Sequence, residues 1–363
     1  MIRNAIIAAC VAAGAIASTA SAAEATLKMV SLDMEGGGGT LFVTPEGKSL
    51  LIDTGSTPRD SAPVRLDGAK SDVDRILAAA SALGVKKIDY LIITHYHGDH
   101  IGGVFDLLKR FPVGTIIDHG PNREREIPSL APDSSINRMA RDSIAVYPRY
   151  LEAIKGHKHI EAKPGDVLHF GSLTDTIVTS DSKVIARPLP GAGGPGSHCD
   201  APPMDSDGGL ENAESVGSIL SFGKVKIAAF GDLTWNREHD LFCPIDRVGH
   251  VDILLVTHHG TAWSSNPASI AAMRPDIAVM GNSATKGAVP AVVNVVSSSP
   301  GLQGFWKLHA STVNPELNGD PDYIANLEPA PDYGKNIRLD IARSGKVTVT
   351  NSRNGFSKTY QVN

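Results

Sequence analysis

Apolar positions along this chain fall into two rhythms. Short runs rich in Val, Ile, Leu and Thr occupy 27–33, 40–44 and 49–53, separated by the glycines at 36–39 and the turn Pro45-Glu46-Gly47. Runs of that length bounded by Gly and Pro read as β-strands. Positions 71–83 carry helical spacing instead, with Ser71 and Asp72 as a start and Gly84 as a stop. A compact apolar run at 88–93 then leads into a polar loop, a helix-like stretch at 101–110 and a strand at 114–118. Strand, loop, helix, strand is the rhythm of an α/β protein.

Between 121 and 165 the pattern loosens into charged, Pro-containing sequence with a helix at 147–155, which reads as an insertion shaping a cleft. Short strands return over 167–185. The stretch 187–209 is rich in Gly and Pro and has no period, so it reads as a long functional or mobile loop. A hairpin is expected at 216–222 and 225–230, a buried strand at 252–257, a helix at 265–273, a strand at 276–280, and a last hairpin at 337–342 and 346–350. The second half thus echoes the first, with no internal sequence repeat.

The bulk numbers narrow this picture. The 363 residues are 42% hydrophobic and 20% charged, which suits a globular chain. Arg3, an apolar run over 5–17 and the small residues Ala20-Ser21-Ala22 describe a signal peptide over 1–22. Cleavage is expected after Ala22, giving a periplasmic or secreted protein with a single domain over 23–363. The apolar run is short for a membrane span, and no later stretch is long and apolar enough to cross a bilayer. Ile7-Ala8-Ala9-Cys10 loosely matches a lipoprotein box, but few residues precede it. The formal charge of -5 becomes -6 once Arg3 leaves with the leader. A mild acidic excess offers no general attraction for nucleic acid, so no stable nucleic-acid complex is expected. Cys199 and Cys243 remain after the leader; they form one disulfide, or Cys199 joins His198 in a metal site.

The chemistry concentrates in Thr94-His95-Tyr96-His97-Gly98-Asp99-His100, between an apolar strand and a helix start. His95 and His97 alternate and so face one side of an extended loop. Asp99 and His100 follow a Gly98 turn and address an adjacent position. Neutral imidazoles with a carboxylate suit Zn²⁺. A solvated His-rich loop is the bland alternative, but the fixed spacing and strand–loop–helix setting argue against it.

This loop resembles the His-x-His-x-Asp-His signature of the metallo-β-lactamase superfamily. Asp53 in Ile52-Asp53-Thr54-Gly55, Asp232 in Phe230-Gly231-Asp232, and Val256-Thr257-His258-His259-Gly260 resemble its other motifs, in family order. The resemblance implies a four-layer αβ/βα sandwich holding two divalent ions, zinc with manganese as an alternative. It implies His95, His97 and Asp232 on one ion, and Asp99, His100, Asp232 and one of His258 and His259 on the other. The phase of the motif favours His259 as ligand and gives His258 a catalytic contact with substrate. Asp99 would both bind metal and orient the nucleophile. Asp53 would hold a ligating imidazole from behind.

The stretch Glu211-Asn212-Ala213-Glu214-Ser215-Val216, with Gly231-Asp232 and His258-His259-Gly260, is similar to the hydrolase domains of ComEC-like competence proteins and to phosphorylcholine esterases. The superfamily's third-motif His, expected before the strand at Val216, is absent. Asn212 lies in its neighbourhood and could lend an amide oxygen; His198 could reach in from the 187–209 loop. His119 and His309 could line the cleft, while Trp235 reads as an aromatic wall or a helix-start anchor.

The expectation is an exported metal-dependent hydrolase that turns a metal-activated water on a small-molecule ester or phosphodiester. The alternatives are a β-lactam or lactone hydrolase, or a non-catalytic metal-binding protein. A role in DNA uptake is not implied.

Overall fold

The computed structural model describes residues 24–57, 65–126, 135–205 and 208–362. The expected signal peptide at 1–22 and part of the expected insertion lie outside them. Among the described residues no helix is long and apolar enough to cross a membrane.

Two nine-stranded sheets pack face to face. In spatial order the first runs Ser357–Gln361, Lys346–Asn351, Ile337–Ala342, Thr26–Ser31, Thr40–Val43, Ser49–Ile52, Ile88–Ile92, Val113–Asp118 and Lys158–Glu161. The second runs Ile324–Asn326, Gly304–His309, Ile277–Met280, Ile253–Leu255, Val225–Ala229, Gly217–Phe222, Leu173–Ser180 and Val167–Phe170, with Lys183–Val184 paired beside Leu173–Ser180.

Alternation along each strand explains the layering. Leu27 and Met29 face the second sheet while Val30 faces helices; Ile92 faces inward while Leu91 and Ile93 face outward. Both faces are apolar, as strands buried on two sides require. The seam between sheets is filled by Phe42, Ile52 and Ile117 against Leu220, Ile227, Ile253, Val279 and Trp306. Outside the first sheet lie Asp72–Ala82, Val104–Arg110 and Ser135–Ala153; outside the second lie Trp235–Phe242, Pro267–Met273 and Pro290–Ser297. The result is an αβ/βα sandwich.

Local chemistry fixes several boundaries. Ser71 caps the first helix, and Asp74 completes a capping box by returning its carboxylate to the Ser71 backbone. The expected helix over 101–110 is interrupted at Gly102 and Gly103, where the 54–57 segment crosses. A Cβ on Gly103 would stand 2.2 Å from the Thr54 carbonyl oxygen. The helix expected at 147–155 begins further upstream, at Ser135.

The site's place follows from topology. Within each sheet an antiparallel half meets a parallel half: Ser49–Ile52, Ile88–Ile92 and Val113–Asp118 run parallel in one, and Val225–Ala229, Ile253–Leu255, Ile277–Met280 and Gly304–His309 in the other. Loops leaving the carboxyl ends of parallel strands gather at one edge, the usual position for a ligand site.

One buried acid within the seam generates a stability prediction. Burial raises the Asp175 carboxyl to about 7, although Ser218 Oγ donates to it at 3.0 Å. The folded chain therefore holds this proton more tightly than the unfolded chain does. Its contribution is fully present below the ordinary carboxyl value of 3.8 and is lost as pH rises towards 7. In urea unfolding, Asp175→Asn is expected to remove part of the stability decline between roughly pH 4 and pH 7. An unchanged pH slope would count against this assignment.

Candidate metal centre

Asp53, the 95–100 loop, Asp232 and the 258–259 pair each follow the carboxyl end of a parallel strand. The structure brings all of them together. His95 Nε2 and His97 Nδ1 stand 3.1 Å apart. Asp232 lies between the two halves of the cluster and presents one oxygen to each. Its Oδ1 faces His100 Nε2 at 3.2 Å and His259 Nε2 at 3.3 Å. Its Oδ2 faces His258 Nε2 at 3.3 Å and His95 Nε2 at 4.0 Å. Asp99 Oδ2 completes the first group, 3.7 Å from His259 Nε2 and 3.9 Å from His100 Nε2. One ligand-type atom from each of Asp99, His100, Asp232 and His259 lies within 4.8 Å of the others.

The rear nitrogens of these imidazoles face polar groups of their own. His100 Nδ1 lies 2.7 Å from Asp53 Oδ2, and Asp53 also accepts from the Thr94 backbone and hydroxyl, each at 2.8 Å. His258 Nδ1 lies 3.1 Å from Ser264 Oγ, which donates to the Leu233 carbonyl. His259 Nδ1 lies 3.1 Å from the Gly281 carbonyl oxygen. His95 Nδ1 lies 3.1 Å from Thr94 Oγ1, and His97 Nε2 faces Glu124 Oε1 at 3.9 Å. Such rear contacts set the tautomer and aim the front nitrogen.

Charge in the cluster is balanced for cations. Burial raises the Asp232 carboxyl, but His258, His100 and His259 outweigh it and hold the group well below the ordinary value. Burial likewise opposes ionisation of Asp99, and Lys286 and His100 outweigh it. Burial, with neighbouring imidazoles, depresses His95 well below its usual range and His258 to about 3. These rings are therefore neutral and able to donate a lone pair at neutral pH. Burial disfavours a charged His100, yet Asp232, Asp53 and Asp99 raise it far above its usual value. A divalent ion would replace that proton. Asp232 Oδ1 makes no hydrogen bond although it is buried. Orphaned oxygen, neutral imidazoles and paired carboxylates form a donor set that zinc accepts.

The motif assigns one of the 258–259 pair to a metal and the other to substrate. In the structure both approach Asp232, one on each oxygen, because both adopt left-handed backbone, φ 55° and 56°. Asn212 does not contact the ligand cluster through its hydrogen bonds: it donates to the Gly208 carbonyl at 2.8 Å, and Gly208 backs onto His258.

Other residues take different places. His198 is exposed beside the Cys199–Cys243 disulfide, which resolves that open alternative. His309 is buried against Asp33 at 2.8 Å, and His119 against Glu211 at 2.9 Å. Trp235 starts its helix and donates to the Pro202 carbonyl; the aromatic ring beside His258 is Trp263, at 5.6 Å.

Three contributors carry no standard motif signal. Glu211 accepts from the Tyr96 backbone at 2.6 Å and from His119, clamping the ligand loop from behind. Its only sequence hint is its place one residue before Asn212. Glu124 and Lys286 reach the cluster from distant loops, and nothing local marks them.

Gly38 lies against the second half of the cluster. A Cβ there would stand 2.6 Å from His100 Nδ1 and 2.7 Å from Asp53 Oδ2. Gly38→Ala is expected to part that pair and weaken metal binding by roughly 10- to 100-fold, the range for loss of a ligand's rear partner. Asp53→Asn should do the same without added bulk. Competitive titration with a chromogenic zinc chelator measures both; wild-type affinity in Asp53→Asn would refute the assigned role.

Comparison with known proteins locates these features. Residues 35–178 match the family model of the metallo-beta-lactamase superfamily. A lactamase-like protein from Pestalotiopsis microspora is 30% identical over 91 residues, covering 24% of this chain and 25% of that protein. The matched segment therefore spans a quarter of that relative's length. Among solved structures, the metallo-beta-lactamase fold protein YhfI from Bacillus subtilis aligns with a TM-score of 0.43 at 11% identity, over 78% of this chain and 96% of its own. A diphosphatase of the PhnP family aligns with a TM-score of 0.41 at 13% identity, over 87% of this chain and 98% of its own.

Proposed function

We propose that this chain, whose residues 35–178 match the metallo-beta-lactamase superfamily model, is an exported metal-dependent hydrolase acting on a phosphodiester or a related ester. The observation that carries the reading is the placement of Asp232, whose two oxygens face separate sets of imidazoles at 3.2 to 4.0 Å. A carboxylate so placed suits a bridge between two cations.

In this reading His95, His97, His258 and Asp232 would hold one ion, and Asp99, His100, His259 and Asp232 would hold the other. The nitrogen-rich donor set favours zinc, with manganese as the alternative. Two such ions, when bound, lower the pKa of a shared water and offset charge developing on the substrate. The chain's own groups do the rest. Asp53, Ser264 and the Gly281 carbonyl fix the orientation of His100, His258 and His259. Asp99, one-fifth exposed at the rim, orients the attacking water by accepting its hydrogen. The water oxygen bonds to phosphorus while the ester P–O bond breaks; the leaving oxygen takes the bonding pair and collects a proton. Gly38 lies close against the His100–Asp53 contact, leaving no room there for a side chain.

The preference for a phosphodiester is supported by the order of Asn212, Ser215, Gly231-Asp232 and His258-His259-Gly260, which resembles the competence-protein and phosphorylcholine-esterase pattern. Export is supported by the Cys199–Cys243 disulfide, since such bonds persist in oxidising compartments.

Zinc-loaded protein is expected to bind about two ions per chain and to cleave bis-p-nitrophenyl phosphate in preference to a chromogenic cephalosporin. Chelation should abolish turnover and zinc should restore it. His97→Ala should lower kcat at least about 100-fold, consistent with loss of a metal ligand. Equal hydrolysis by metal-free and metal-loaded protein would overturn the proposal, and cephalosporin opening without phosphodiesterase activity would reassign the substrate.

A further inference from the structure

Lys286 is not a candidate ligand, yet its ammonium contacts one directly. Nζ donates to Asp99 Oδ2, and also to the Gly36 carbonyl at 2.7 Å. A cation beside a metal-ligating oxygen repels the metal, so its presence works against the centre it adjoins. That cost is explained if the ammonium acts on something negatively charged.

The segment that carries Lys286 is held rigidly. Ser283 N donates to the Lys286 carbonyl at 3.0 Å, and Ser283 Oγ accepts from Lys286 N at 2.9 Å. On one side Asn282 donates to the His309 carbonyl at 2.8 Å. On the other, the Ala284 carbonyl accepts from the Thr312 backbone at 2.8 Å and from its hydroxyl at 2.9 Å. Gly287, at φ 82°, lies flat against His259; a Cβ there would be 1.9 Å from the His259 carbonyl oxygen. Lys286 is therefore presented from a backbone keyed to the ligand His259, unlike a free surface lysine.

An ammonium has three donors. Asp99 and Gly36 use two. The side chain is 37% exposed at the rim of the cluster, and no third partner of Nζ is present among the described residues. We propose that Lys286 is the anion-recognition residue of this centre, and that its substrate carries a negatively charged oxygen next to the bond to be cut, as a phosphodiester does. The inference rests on the hydrolase reading above and adds a selection by charge: neutral esters and lactones lack the group that Lys286 holds.

The test uses the full zinc-loaded chain with Lys286→Ala, Lys286→Gln and Lys286→Arg. Metal content is measured first for each variant. Phenylphosphonate is then titrated calorimetrically. The Ala and Gln variants are expected to bind it roughly 10- to 100-fold more weakly, the usual worth of a charge-assisted hydrogen bond. Lys286→Arg should recover most of the affinity. The ratio of kcat/KM for bis-p-nitrophenyl phosphate to that for neutral p-nitrophenyl acetate should fall by about tenfold or more in Lys286→Ala. Unchanged phosphonate affinity, an unchanged ratio, or loss of zinc from the Ala and Gln variants would overturn the proposal. If the wild type cleaves neither ester but still needs Lys286 to bind phenylphosphonate, the hydrolase reading fails, and only the anion contact of Lys286 stands.

Discussion

The centre depends on a single buried carboxylate. Asp232 sits at the seam of the two sheets, 3% exposed, with imidazoles from both halves of the chain turned towards it. An unpaired carboxylate in that setting would be strongly destabilised by loss of water. It persists as an anion because His258, His100 and His259 offset the cost of its burial. The converse also holds, since these rings lack a common acceptor without Asp232. Several other contacts of the site keep the two halves in register around this group.

That register is maintained by direct bonds as well as by the apolar seam. The Val216 backbone donates to the Thr94 carbonyl at 2.9 Å, and the Tyr96 backbone donates to Glu211, so the ligand loop of the first sheet is tied to the strand entry of the second. Thr54 N donates to the His100 carbonyl at 2.7 Å, fixing the loop from the other side. Asp53, His258 and His259 all adopt left-handed backbone, with φ between 55° and 62°. Three non-glycine residues in that region within one site mark stored local strain, held by the surrounding packing and spent on directing side chains towards one point.

A second buried network supports the glycine loop that overlies the cluster. Arg75 donates to the Asp33 carbonyl oxygen at 2.8 Å and pairs with Asp67 and Asp332, while His309 and Asn326 bind the Asp33 carboxylate. Asp33 and Glu35 lead directly into Gly36, Gly37 and Gly38, whose backbone touches Lys286, Asp99 and His100. His309 thus takes part in the centre from outside it, by anchoring the approach to this loop.

The sequence by itself determined the layered α/β character, since short apolar strand runs alternate with stretches of helical spacing such as 71–83. It also determined the identity of most candidate ligands, because His95, His97, Asp99 and His100 are fixed by local spacing on one loop. It did not reveal Pro290–Ser297 as a helix: Val-rich composition reads as strand, and only packing against the second sheet overrides that preference. Nor did it disclose Gly304–His309 or Ile324–Asn326, whose parallel partners lie across intervening segments, or Ser357–Gln361, which extends the last hairpin. Tertiary structure alone decided that His258 and His259 serve opposite oxygens of one carboxylate, a matter of two backbone dihedrals. It also decided that Glu124, Glu211 and Lys286 belong to the same site. Their contacts span gaps of 27 to 187 residues, and spacing along a chain carries no information about which distant loops the packing of two sheets will bring into contact.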